Sequence, residues 1–268
     1  MQKEFAKHVV EVLKNDETII GLAGAGSWLT NEIDRWSDLD LVVVTRDNLD
    51  ADKTKMLAYA ERFGNLISAF TGEHVGEKRL LICLYDDPLI HVDIKFVTLE
   101  EFQERIENPI ILLDRAKKIQ EVIDNTSPEF PQPDLQWIED RFWTWIHYSL
   151  LKIGRGEYFE ALDFMGFLRM VVFGPLLHLK NNNLPRGVRR VETALTTLDF
   201  ESLESTLCSN NRESLLNAVE NAVNLYRELR SDARYVDILF NKAEKPVMLY
   251  FENLKKTFAK NLAKPRNL

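Results

Sequence analysis

The sequence predicts an α/β domain built on a mixed sheet, followed by an all-α helical bundle. Three observations carry this reading. Apolar runs of strand length (Thr18–Ala23, Leu39–Thr45, Leu66–Phe70, Arg79–Tyr85 and residues 90–97) alternate with helical patterns in the first part of the chain. Three prolines then fall within the eight residues Ser127–Asp134, where they stiffen the chain and bar both helix and central strand. Beyond them apolar residues recur at helical spacing to the end. The predicted domains are therefore residues 1–127 and 134–268.

Taken in order, residues 3–14 read as an amphipathic helix with Phe5, Val9, Val12 and Leu13 on one side. Thr18–Ala23 is a short buried strand that delivers the turn Gly24-Ala25-Gly26. A helix is expected from Ser27 to about Asp34, with Trp28 and Ile33 packing inward. Leu39–Thr45 is apolar on both faces beyond its aspartates, as a central strand covered on both sides should be. Asp50 to Arg62 reads as a helix capped by Asp50, offering Met56, Leu57 and Tyr59 for packing. The next two strands flank a polar loop, Thr71–Lys78, whose His74 reads as solvated. The strand at 90–97 carries Asp93, with His91 and Lys95 on the same face. Lys95 suits a phosphate or a neighbouring carboxylate equally. A short helix should start at Thr98, and the apolar piece Ile110–Leu113 leads to Asp114-Arg115.

After the prolines, Trp137, Ile138, Phe142, Trp145, Ile146, Ser149, Leu150 and Ile153 follow one helical stripe, which breaks at Gly154 and Gly156. Tyr158 to Lys180 is a second apolar helix or pair, bent near Gly174-Pro175. Asn181–Pro185 is a turn. Further helices run through Leu215–Leu229 and from Val247 to Leu262. Arg186, Arg189 and Arg190 form a small basic cluster that reads as solvated surface.

The net charge of −8 argues against nucleic acid as a partner, which calls for a basic face, and accords with a cationic small molecule. Cys83 and Cys208 fit no metal spacing and read as reduced thiols. The N-terminal residues lack an apolar signal region, and no run suits a membrane span, so the expected location is the cytoplasm.

The chemistry concentrates at Gly24-Ala25-Gly26-Ser27 and Asp38-Leu39-Asp40. Asp38 and Asp40 project from the same face of their strand, with Cα atoms about 6–7 Å apart. Two like charges about 4 Å apart near a surface repel by roughly 4 kcal/mol, so a cation is expected between them. Hard oxygen donors suit Mg²⁺. Gly24 and Gly26 let backbone approach a ligand closely, and Ser27 offers a hydroxyl and a helix start that would receive phosphate. Singly, these pieces are a tight turn, a cap and a solvated strand edge. Together they describe a phosphate cradle beside a dicarboxylate metal site. The dinucleotide-binding alternative lacks its third glycine, since Leu29 stands in that place.

Gly26-Ser27, the ten-residue spacer, Asp38-x-Asp40 and the later Asp93 resemble the polymerase-beta-type nucleotidyltransferase superfamily, and within it the bacterial aminoglycoside adenylyltransferases. The resemblance implies transfer of a nucleoside monophosphate, AMP from Mg-ATP, to a hydroxyl of a small cationic acceptor such as an aminoglycoside, with release of pyrophosphate. It implies a two-metal Mg²⁺ site on Asp38, Asp40 and Asp93, with Asp93 also the candidate base. Gly26 and Ser27 would bind the phosphates. Lys152, on one stripe with Tyr148 and Arg155, would clamp them from the second domain, unless that stripe is a solvated basic edge. The active site would lie in the cleft between the domains, and Ile110–Arg115 stands where such enzymes often place a closing strand and turn. Should Asp93 not serve, Glu139, Asp140 and Glu157 are the next carboxylates to consider. Modification of a protein or RNA end, and a non-catalytic nucleotide-binding regulator, are the alternatives on the same fold.

Overall fold

Six strands form one mixed sheet in the first part of the chain: β1 (Ile19–Gly24), β2 (Leu39–Thr45), β3 (Asn65–Gly72), β4 (Glu77–Asp86), β5 (Ile90–Val97) and β6 (Ile110–Asp114). Their order is β3-β4-β5-β2-β1-β6. Only β2 and β5 run parallel, because helix α2 (Lys53–Ala60) carries the chain away from β2 and a meander through β3 and β4 returns β5 beside it. The computed structural model describes residues 1–29 and 33–262, with side chains as far as Ala259. The chain divides into two compact units, Met1–Phe130 and Pro131–Leu268, and the division falls inside the proline segment.

Strand alternation gives the sheet two unlike faces. On one, Leu22, Leu39, Leu41, Val43, Leu81, Cys83, Tyr85, Val92 and Ile94 pack with α1 (Gln2–Leu13) and α2 into a continuous core. On the other, α3 (Leu99–Phe102) and α4 (Lys118–Asn125) cover only Ile20, Val44, Val97 and their neighbours, through Phe102 and Ile119. The remainder of that face is half-buried or exposed, and Asp40, His91 and Asp93 stand there.

Three local expectations are corrected. The helix from Ser27 to about Asp34 is, in its described part, a single 3-10 turn, Gly26–Trp28; Thr30, Asn31 and Glu32 lie outside the described residues. The cap of α2 is Asp52, whose carboxylate accepts from the backbone of Thr54 and Lys55, while Asp50 takes a left-handed φ of 54° in the preceding turn. Helix α4 was not expected. It begins where the Asp114 carboxylate accepts from Ile119 N and Gln120 N, each at 3.0 Å.

Among its described residues the second unit holds helices and no strand. Helix α5 (Leu135–Arg155) starts on Asp134 and runs through Gly154, stopping at Gly156 with a left-handed φ of 81°. Helices α6 (Tyr158–Leu168) and α7 (Gly174–Lys180) join through a π-helical turn, Arg169–Phe173, just before the Gly174-Pro175 pair where a bend is expected. A side chain on Gly174 would sit 2.2 Å from the Gly187 carbonyl oxygen, so close approach fixes glycine there. Two short helices that the periodicity did not announce, α8 (Val191–Ala194) and α9 (Thr197–Glu204), precede α10 (Arg212–Leu229) and α11 (Glu244–Leu262). One core runs through α5, α6, α7, α10 and α11. Tyr158–Lys180 has the length and hydropathy of a membrane span, but half of its most apolar window is buried in this unit.

Candidate active site

The parallel pairing of β2 with β5 sets Asp40 directly opposite Asp93, about 4.8 Å away across the ladder. Asp38 stands two residues before Asp40, at the point where the chain enters β2. Its approach is fixed by a residue that periodicity gave no reason to notice. Gln2, nearly buried at the start of α1, donates to the carbonyls of Asp34 and Ser37, both at 2.8 Å.

The glycine turn meets this pair from the β1 side. Ala25 N donates to the Asp40 carbonyl at 3.0 Å, and Trp28 N and Leu29 N close the 3-10 turn on Ala25 and Gly26. Gly26 has a left-handed φ of 61°, and a Cβ there would fall 1.8 Å from Asp40 Oδ2. The left-handed backbone favours glycine, and any side chain there would push the Asp40 carboxylate aside. The Trp28 ring closes over Gly24, where an added Cβ would meet it at 2.8 Å. Ser27 follows on the turn, half-buried.

Among the described residues, Asp93 has a single side-chain partner. His91 Nε2 lies 2.9 Å from its Oδ1. Burial pushes the Asp93 carboxyl above the ordinary carboxylate range; His91 opposes the shift, and the negative charge of Asp38 adds to it. A half-buried carboxylate facing two others is a donor set that fits a hard divalent cation such as Mg²⁺ in its chemistry. As they stand the three are not gathered around a point: among the described residues no group of three His, Cys, Asp or Glu side chains is placed to hold a metal ion.

The other expected residues lie elsewhere. Lys95 Nζ is 2.8 Å from Glu77 Oε2, so it serves a carboxylate. Glu77 also binds Arg79, and these cations, Arg79 first, hold its carboxyl down at about 2. Lys152 belongs to the helical unit, on the last turn of α5. Its ammonium lies 2.9 Å from both Glu157 and Glu160, 5.0 Å from the centre of the Tyr148 ring. Arg155 pairs with the same Glu157 at 3.4 Å. Of the reserve carboxylates, Glu139 is fully buried among structural donors, Asp140 accepts from Gln136, and Glu157 holds Lys152. His74 is exposed on the 3-10 turn Glu73–Val75, its ring 5.8 Å from that of Phe70.

No curated protein matches the chain. Among solved structures it is similar to an aminoglycoside 6-adenyltransferase from Bacillus subtilis, at 17% identity and a TM-score of 0.42, covering 95% of this chain and 98% of that one. The family model described as streptomycin adenylyltransferase matches residues 1–253. The chain belongs to the streptomycin adenylyltransferase family, whose members are nucleotidyl-transferring enzymes.

Proposed function

We propose that the protein transfers AMP from ATP to a hydroxyl of a small cationic acceptor, an aminoglycoside such as streptomycin, and releases pyrophosphate. The observation that carries this reading is the register of Asp40 against Asp93, with Asp38 beside them and the Gly26 turn pressed on Asp40. Asp38, Asp40 and Asp93 would hold Mg²⁺. Bound there, the ion would neutralise phosphate charge and ease ionisation of the attacking hydroxyl.

The rest is work for the chain's own groups. The backbone of Gly26 and the hydroxyl of Ser27 bind the β- and γ-phosphates and fix the direction in which pyrophosphate leaves. A bond forms from the acceptor oxygen to the α-phosphorus as the bond from that phosphorus to the bridging oxygen breaks. The hydroxyl proton passes to the Asp93 carboxylate. The place of work is the cytoplasm, where ATP is at hand, with neither membrane nor nucleic acid as partner.

The test offers purified protein and Mg²⁺ each of ATP, GTP, CTP and UTP against aminoglycosides and lincosamides. Pyrophosphate release and product mass are recorded. ATP should be preferred and at least one cationic acceptor should gain an AMP unit, with acceptor binding weakened by salt. Release only with a protein or RNA acceptor, or nucleotide binding without transfer to any acceptor, would overturn the reading.

A further inference from the structure

We propose that the open face of β3 and β4 beside Asp93 is the acceptor's binding floor, and that it takes the C–H face of a sugar or aminocyclitol ring. The inference rests on the transfer reading above and adds where the acceptor lies and what holds it.

Sheet order supplies the direction. The glycine turn is fastened to Asp40 from the β1 side of β2, whereas β5, β4 and β3 lie in that order on the other side. In displacement at phosphorus, the entering oxygen and the leaving group stand on opposite sides of the transferred group. With pyrophosphate at the turn, the hydroxyl must come in over β5, from the β4–β3 side.

Register supplies the residues. Asp93 pairs with Ile82, which pairs with Phe70; His91 pairs with Leu84, which pairs with Ser68. All six side chains therefore share one face. Among the described residues, this strip belongs to none of the hydrophobic cores: Phe70 is 47% exposed, Ile82 and Leu84 are half-buried, and Ser68 and His91 are exposed. An aromatic and two aliphatic side chains with a few polar groups at the edge have the make-up of a small-molecule site.

Charge supplies the class. Asp38, Asp40 and Asp93 border the strip at one edge, while the nearby cations Lys95 and Arg79 are neutralised by Glu77 and Glu101. That leaves carboxylates in excess of unpaired cations at this edge of the strip, which favours an ammonium-bearing ring. The negative face of the Phe70 ring receives such a cation or the C–H edge of its ring.

The experiment compares the full chain with Phe70→Ala and Ser68→Lys, both changes at exposed positions. Steady-state kinetics with Mg-ATP and streptomycin or another accepted aminoglycoside are measured beside equilibrium binding of ATP alone. Acceptor KM should rise about 10-fold or more in each variant, ATP affinity should hold, and the Ser68→Lys increase should shrink in high salt. An acceptor KM unchanged in both variants would overturn the floor. So would a loss of ATP affinity, which would place adenine there. A changed sedimentation coefficient with intact kinetics would make the strip a contact between copies. If the wild type transfers to no acceptor, the transfer reading and the floor fall together. If it transfers with an insensitive KM, only the floor falls.

Discussion

Two carboxylates, one in each unit, have opposite fates. Glu139 in the helical unit is fully buried, yet Tyr226 Oη at 2.7 Å, Asn241 N at 3.0 Å, Trp143 Nε1 at 3.2 Å and Arg230 Nη1 at 3.3 Å all donate to it. Phe142 stacks on the Tyr226 ring at 3.7 Å, so the donors are themselves held by packing. Asp93 in the sheet unit keeps 23% of its side-chain surface exposed, has one histidine at its oxygen, and faces another aspartate. A carboxylate saturated with donors is a structural joint. One with few donors among the described residues, on a face that the helices leave open, fits the metal-binding role proposed above.

Six substitutions at five positions press on this contrast. Asp40→Asn and Asp38→Asn should bring the largest change, reducing nucleotidyl transfer to background while circular dichroism and the unfolding midpoint stay at or above wild type, since each relieves repulsion. Measurable turnover near the wild-type level in either would erase the contrast.

Asp93→Asn comes next. Turnover should fall by about 10²–10⁴-fold with a much smaller change in ATP affinity, as positioned proton transfer contributes about that much. Its stability should move the other way. A carboxyl held above its ordinary range binds a proton more tightly in the folded state, so ionising it weakens the fold as pH rises past that range. The asparagine variant should therefore melt higher than wild type at neutral pH. The two curves should meet in acid, where both side chains are neutral.

Glu139→Ala is the mirror experiment. It strips a buried anion from Arg230 and three other donors and should lower unfolding free energy by about 3–5 kcal/mol. Glu139→Gln keeps an acceptor and should lose less, about 1–3 kcal/mol. Denaturant titration measures both. A stable, inactive Glu139→Ala would reassign this residue to the chemistry.

The smallest effect tests whether a satisfied carboxylate in the sheet unit behaves like Glu139. With Arg79 and Lys95 holding it at about 2, Glu77 contributes stability above its ordinary pKa of 4.5, lost as pH falls through the interval to about 2. Glu77→Gln should be slightly less stable at neutral pH and show a shallower loss over that interval in pH-dependent unfolding.

Much of this was legible in the chain before any coordinates. Leu39–Thr45 and residues 90–97 are strands to the residue, because alternation and length agree there. The long helices follow from stripes of four or more turns. Short elements were caught unevenly: α2 and α3 were read beside capping residues, whereas α4 and α8, of the same eight and four residues, have no side-chain cap at the N-cap position. Asp50 and Asp52 are both good caps, and only the backbone path decides between them. Asp38, Asp40 and Gly26 announced themselves because their chemistry is local in sequence. The partners of Lys152 and the strip from Phe70 to Leu84 did not, since both depend on which segments fold side by side.

The contact between Gly26 and Asp40 reaches beyond enzymology. Any side chain at position 26 displaces the carboxylate, and a larger shift of the carboxylate would give up the proposed site, so neither position could compensate for change in the other. Coevolution between residues requires intermediate pairs that still work, and here there are none. Natural variation should therefore leave these two positions jointly frozen rather than covarying. Statistics built on covariation would pass over the tightest coupling in the molecule.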